Sequence, residues 1–229
     1  MQTTADETGF SGGFEVDVPS RYVARGVGVN QGPAFQPAAW IARSGLTATA
    51  WSSFDPAGQR ALAAKPTDLT AALAWETEIG PLSIEPSVTY ITYPDLADVP
   101  TTVEAAVTTS LAIGPVSACV TNIVDTMAFQ GAWYGWAGLC FEQSFGERTV
   151  LEANGGAGLG NRAFNEVNFG VVSWGLDHVE ANLALTLPLT DAAYLRAHAT
   201  ASRLVHRDLL RELPEPMVAF AGAAVGFEM

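Results

Sequence analysis

Between Val179 and Leu189 every odd residue is apolar (Val179, Ala181, Leu183, Leu185, Leu187, Leu189), while Glu180, Asn182, Ala184, Thr186 and Pro188 fill the even positions. Successive side chains of a strand point to opposite faces, so this segment is a strand with one apolar and one polar side. The alternation returns in about a dozen segments along the chain. The first spans 12–27, where Phe14, Val16, Val18, Tyr22 and Ala24 oppose Glu15, Asp17, Arg21 and Arg25. Others follow at 35–43, 46–54 and 68–79, then on either side of the loop Pro94–Pro100, and on through 116–124, 132–143, 149–158, 178–189, 192–204 and 217–229. Pro86 falls inside the fifth strand, where a bulge or a local break is expected.

A soluble sandwich buries its apolar face; a transmembrane barrel turns it to lipid and keeps its polar face for a lumen. A basic residue at mid-bilayer costs about 2–4 kcal/mol, so the charged face of the first strand belongs to a lumen. The connections agree. Short turns follow the even strands at Ser44-Gly45, Gly80-Pro81, Gly114-Pro115, Phe145-Gly146-Glu147 and Thr190-Asp191. Longer connections mostly follow the odd ones, among them Asp55–Pro66, Leu159–Asp177 and His206–Pro216. Short periplasmic turns and long extracellular loops mark an outer-membrane barrel. Val167–Trp174 reads as a further strand, but an odd total conflicts with the even number expected, so Leu159–Asp177 is assigned to an extracellular loop. The fold expected is all-β: a transmembrane antiparallel up-and-down β-barrel of about 12 strands. It occupies residues 10–229 as a single domain, after a flexible mature N-terminus of residues 1–9.

Composition narrows the function. The net charge of −13 argues against nucleic acid, which wants clustered Lys and Arg. No basic start or apolar core of a secretory signal precedes Thr8, so the chain reads as a mature sequence behind an added Met1.

The sequence also resembles the TorF-type porin family of bacterial outer-membrane β-barrels. The resemblance is carried by Ser20-Arg21-Tyr22-Val23-Ala24-Arg25-Gly26 with Asn30-Gln31-Gly32-Pro33 and Gln36-Pro37, and by Tyr90-Ile91-Thr92-Tyr93-Pro94. It continues in Gly158-Leu159-Gly160-Asn161, Val167-Asn168-Phe169-Gly170-Val171 and Leu187-Pro188-Leu189-Thr190-Asp191. It implies a porin in the outer membrane of a Gram-negative bacterium, and brings no catalytic residues with it. Such barrels usually end in an aromatic residue; here Ala221, Ala223, Val225 and Phe227 keep the alternation and Met229 stands last.

The candidate site is the lumen. Its acids are Glu15, Asp17, Asp68, Glu76, Glu78 and Glu85 in the first half of the chain and Glu104, Glu142, Glu152 and Glu180 beyond it. Its bases are Arg21, Arg25 and Arg196, with His198 nearby. Either these charges line a narrow, cation-preferring pore for passive diffusion of small solutes, or they pair with one another across a filled lumen. Cys119 and Cys140 fall on adjacent strands and would sit opposite each other if the hairpin turns near Phe129-Gln130; a lumenal disulfide is expected over two free thiols in an oxidising periplasm. No further ligands stand at metal spacing and no cofactor motif is present. His206 near Ser202 and Asp208 is not read as a triad, because a triad is a matter of geometry, so no enzyme is expected. Trp75 and Tyr90 suit an aromatic girdle. The partners expected are outer-membrane lipid and lipopolysaccharide, the barrel-assembly machinery, and small solutes or cations. The alternative is a closed structural barrel whose extracellular loops bind a partner or a surface, with a membrane-embedded hydrolase ranked behind it.

Overall fold

The computed structural model describes residues 9–56, 66–96, 98–146 and 148–229. The expectations for the N-terminal arm, for most of the Asp55–Pro66 loop and for Glu147 lie outside the described residues, apart from Gly9. The chain forms β1 (Phe10–Pro19), a short pair β2 (Val23–Ala24) and β3 (Val27–Gly28), β4 (Gln36–Arg43), β5 (Leu46–Ser53), β6 (Asp68–Trp75) and β7 (Thr77–Ile79). There follow β8 (Leu82–Thr92), β9 (Thr102–Ile113), β10 (Val116–Asp125), β11 (Trp133–Phe145) and β12 (Thr149–Gly160). Helix α1 (Arg162–Phe169), β13 (Gly175–Pro188), β14 (Ala193–Leu204), the short α2 (Leu209–Glu212) and β15 (Met217–Glu228) complete the chain.

The sheet runs from β6 through β5, β4, β1, β15, β14, β13, β12, β11, β10 and β9 to β8 and β7, and the pairing of β6 with β8 closes it. β6 and β7 lie on β8 in one register (Ala74↔Ser87, Thr77↔Ile84) and count as one interrupted strand, so the barrel has twelve staves. That register puts Pro86 opposite Trp75. Proline has no N–H to donate, so the ladder lapses there. The break expected inside the fifth strand therefore appears on its neighbour, while β8 itself runs unbroken and pairs Pro86 with Val107.

The β6–β8 pairing closes the wall into a ring. Apolar residues face outward: Phe14, Ile41 and Leu183 are 48%, 53% and 53% exposed. Trp75 and Tyr90 join them, one near the turn end of its strand and one near the loop end. The turns at Gly80-Pro81 and Gly114-Pro115 follow from backbone chemistry. Gly80 and Gly114 take positive φ (62° and 65°), which suits a two-residue hairpin whose first central residue is glycine.

Two expectations are corrected. The first strand stops at Pro19 and does not reach Val27; the chain then turns into the lumen. Leu159–Asp177 is not a simple loop: β12 extends to Gly160, and α1 follows it. Asn161 caps α1, its side chain accepting from Phe164 N at 2.8 Å, and Gly170 closes it at φ 70°.

Candidate functional site

The lumen is divided by the excursion of residues 20–33, here called the inward loop. Its base is closed where Ala34 N donates to Pro19 O at 3.0 Å. Val29 N donates to Tyr22 O at 2.9 Å, and β2 pairs with β3 around the two-residue turn Arg25-Gly26. Both turn residues have positive φ (49° and 82°), the requirement of the tight hairpin turn that matches strand twist. Arginine is an uncommon choice there, and its side chain explains it. Arg25 Nη2 donates to both oxygens of Glu104 on β9, and the guanidinium lies 5.4 Å from the Tyr134 ring centroid and 5.2 Å from that of Phe164. Gly26 lies against the His178 ring, where a Cβ would collide, and accepts from Ser202 Oγ at 3.3 Å. Arg21 fixes the other end: its Nε donates to Asn30 O at 2.6 Å and its Nη2 pairs with Glu215. Arg21 and Arg25 thus clamp the loop, and neither stands on a barrel strand. The Ser20–Gly26 and Asn30–Pro33 motifs are the residues that fold this loop.

The rest of the predicted set falls on inward-facing strand positions, but in two kinds of surroundings. On β11–β15 and β1 many inward side chains meet partners. Tyr194 Oη donates to Glu15 at 2.9 Å, His198 lies 2.9 Å from Asp17, and Arg196 lies 3.3 Å from Glu152. Asn182 donates to Asn154 at 2.6 Å, and Thr200 to Asn182 at 2.6 Å. Glycine makes room for this: the Tyr194 ring covers Gly226 and His198 covers Gly222, so closely that neither glycine could carry a Cβ. Asp177 is the extra residue of a bulge between β12 and β13; it and the fully buried His178 both sit in the interior. His178 Nε2 is 3.5 Å from Tyr134 Oη and 3.6 Å from Glu180. Glu142 shares its register with Glu152 across β11 and β12.

On β5–β10 the inward positions are different. Thr47, Thr49, Ala72, Ala74, Ser87, Thr89, Ala106 and Thr108 are small. The acids on this wall are Asp68, Glu76, Glu78, Glu85, Glu104 and Asp125, and among the described residues no strand-borne Lys or Arg shares their face. Glu76 accepts from Ser83 Oγ at 2.9 Å, and Asp125 is held by Thr102 Oγ1 at 2.6 Å and by the amides of Met127 and Phe129. Sequence reasoning omitted Asp125.

At the loop end this wall, the inward loop and α1 enclose a cavity of about 670 Å³. Asp68 lines it at 6% exposure. The Tyr22 hydroxyl is pushed well above its ordinary value, chiefly by burial and next by the nearby Asp68 carboxylate, so it stays protonated.

Cys119 and Cys140 are joined across β10 and β11, with Cα atoms 6.3 Å apart. They are diagonal, not opposite: Cys119 faces Gly138, and Cys140 faces Ser117. The hairpin is set one residue earlier than expected, because Asp125 N bonds Ala132 O and centres the turn on residues 128–129. Ser202, His206 and Asp208 do not converge in a triad: Ser202 donates to Gly26 O, and Asp208 faces Arg211. Among the described residues no group of three or more His, Cys, Asp or Glu side chains could hold a metal ion.

No protein-family model and no curated protein sequence matches this chain. Solved structures do. The chain is similar to the KdgM porin at 6% identity and a TM-score of 0.56, covering 94% of this chain and 98% of that one. It is similar to the NanC porin at 9% identity and a TM-score of 0.56, covering 93% and 98%. A structure of the KdgM porin in complex with disordered oligogalacturonate matches at 6% identity and a TM-score of 0.53, covering 95% and 97%. At such identities the likeness is one of fold, a closed antiparallel barrel over nearly the whole of each chain.

Proposed function

We propose that the protein is a porin-like channel of the bacterial outer membrane, of the TorF type, through which small solutes pass by passive diffusion with a preference for cations. The observation that carries this reading is the β5–β10 wall: small side chains beside acids, with no strand-borne base on the same face. Acids along a narrow passage raise the local concentration of cations and depress that of anions. Oligogalacturonate, with which the KdgM porin was crystallised, is a polyacid, and a wall of this sign disfavours such a solute here. In this reading the loop end faces the cell exterior, where the loops meet lipopolysaccharide, and the barrel-assembly machinery inserts the chain.

A closed structural barrel is the second reading, favoured by the inward loop and α1 at the loop end of the lumen. Conductance separates the two. In a planar bilayer under a salt gradient, the channel reading expects discrete current steps and a reversal potential of cation-selective sign. A folded, heat-modifiable barrel without conductance overturns it in favour of the closed one. A reversal potential of anion-selective sign removes the cation preference.

A further inference from the structure

Arg25 shows what the loop end of this lumen does with a cation. It sets the positive charge between a carboxylate, Glu104, and the faces of two aromatic rings, Tyr134 and Phe164. The same components recur in the adjoining cavity, where among the described residues no Lys or Arg stands against Asp68. Asp68, buried at 6% exposure, lines it together with Tyr22; the Tyr22 ring lies 5.7 Å from that of Trp51, and Tyr93 lines the same space. Among the described residues that line the cavity the base is Arg25, and it is already engaged by Glu104. The cavity's volume of about 670 Å³ is that of a small-molecule site.

We infer that this cavity is a binding site for an organic cation: a protonated or quaternary amine carried on a flat or apolar body. The charge belongs at Asp68, and the body belongs against the faces of Tyr22, Trp51 and Tyr93. A buried carboxylate without a counter-charge favours a cation over a neutral molecule, and the aromatic faces favour an organic cation over a strongly hydrated inorganic one. An anionic ligand of equal shape meets the same rings but is repelled by Asp68. The inference rests on the porin reading only in that the cavity is the mouth of the proposed passage; binding itself needs no conduction.

The test is calorimetric titration of the full chain in detergent micelles with phenethylammonium, beside 3-phenylpropionate and phenethyl alcohol as anionic and neutral matches. Saturable binding of the ammonium alone, weakened about tenfold or more by Asp68→Asn and kept by Asp68→Glu, is expected. Trp51→Leu gives an independent arm if Asp68→Asn does not fold, and it too weakens binding. No saturable binding, equal binding of the carboxylate, or an affinity indifferent to both Asp68→Asn and Trp51→Leu overturns the site. A barrel that conducts selectively yet fails this titration keeps the porin reading and loses the site. A barrel that binds the ammonium but never conducts does the reverse.

Discussion

Along β13, β14 and β1 the inward side chains are long and reach one another: Tyr194 to Glu15, His198 to Asp17, Asn182 to Asn154. Along β5, β6 and β8 many of them are short, as Thr49, Ala72 and Thr89 are in adjacent registers. Both walls obey the same two-residue alternation with apolar groups outside. What differs is side-chain length and the balance of sign. Where bases and histidines accompany the acids, charge becomes packing and the inward loop has a floor to dock on. On the other wall the acids stand beside short neighbours, and the base that meets them comes from the inward loop, where Arg25 holds Glu104. One half of the wall thus packs its charged side chains against one another, and the other half carries acids among short side chains.

The largest expected effect breaks that difference at its source. Converting Glu76, Glu78 and Glu85 to Gln together lowers the cation-to-anion permeability ratio by about fivefold to tenfold at low salt, less at 1 M where the Debye length is ~3 Å. Reversal potentials measure it, and an unchanged ratio refutes the passage along this wall. The opposite-wall pair Glu15→Gln and Asp17→Asn costs about 1–2 kcal/mol of stability in denaturant titration, with a far smaller change in selectivity.

The next effect is on the loop that separates the walls. Gly26→Val places a side chain in the His178 ring at a backbone conformation valine avoids. The inward loop is expected to undock, costing about 2–3 kcal/mol and raising single-channel conductance. Unchanged conductance with the stability lost would mean that the loop does not bound the passage. Arg25→Ala is milder: it leaves Glu104 without its partner at the edge of the cavity and costs about 2 kcal/mol, read from the shift in unfolding midpoint. The smallest expected effect concerns the cysteines. Alkylation of the denatured, unreduced protein should label neither Cys119 nor Cys140; labelling of both would remove the link between β10 and β11.

Much of the barrel is legible in the sequence. Lipid on one side forces a strict period of two, and the hairpin turns declare themselves through Ser44-Gly45 and the repeated Gly-Pro. The inward loop was hidden for a physical reason. Its alternation of Tyr22 and Ala24 against Arg21 and Arg25 continues that of β1, so no change of period marks the point where the chain leaves the wall. The hairpin at its tip lacks the usual Asn-Gly signal, because Arg25 takes the left-handed position and is held there by Glu104, 79 residues away. Long-range chemistry of that kind leaves no local trace. Helix α1 did leave one: Asn161 before it and Gly170 after it are its cap and stop, bracketing the apolar Ala163, Phe164 and Val167. The cysteines needed only the turn length, and a one-residue error at the turn moved them from opposite to diagonal without changing their face.

The inward loop is anchored at its base to β1 and β15, through Pro19 and Ser20, and at its tip to β9 and β13, through Glu104 and His178. β1 and β9 stand five staves apart in a ring of twelve, almost diametrically opposed. A cylinder of strands deforms most easily by flattening into an oval, since each ladder resists shear along its length but little resists bending between neighbours. A tie across the bore opposes that deformation directly. The loop therefore ties the rim as a spoke does, and a barrel with that tie cut is expected to be softer to lateral pressure.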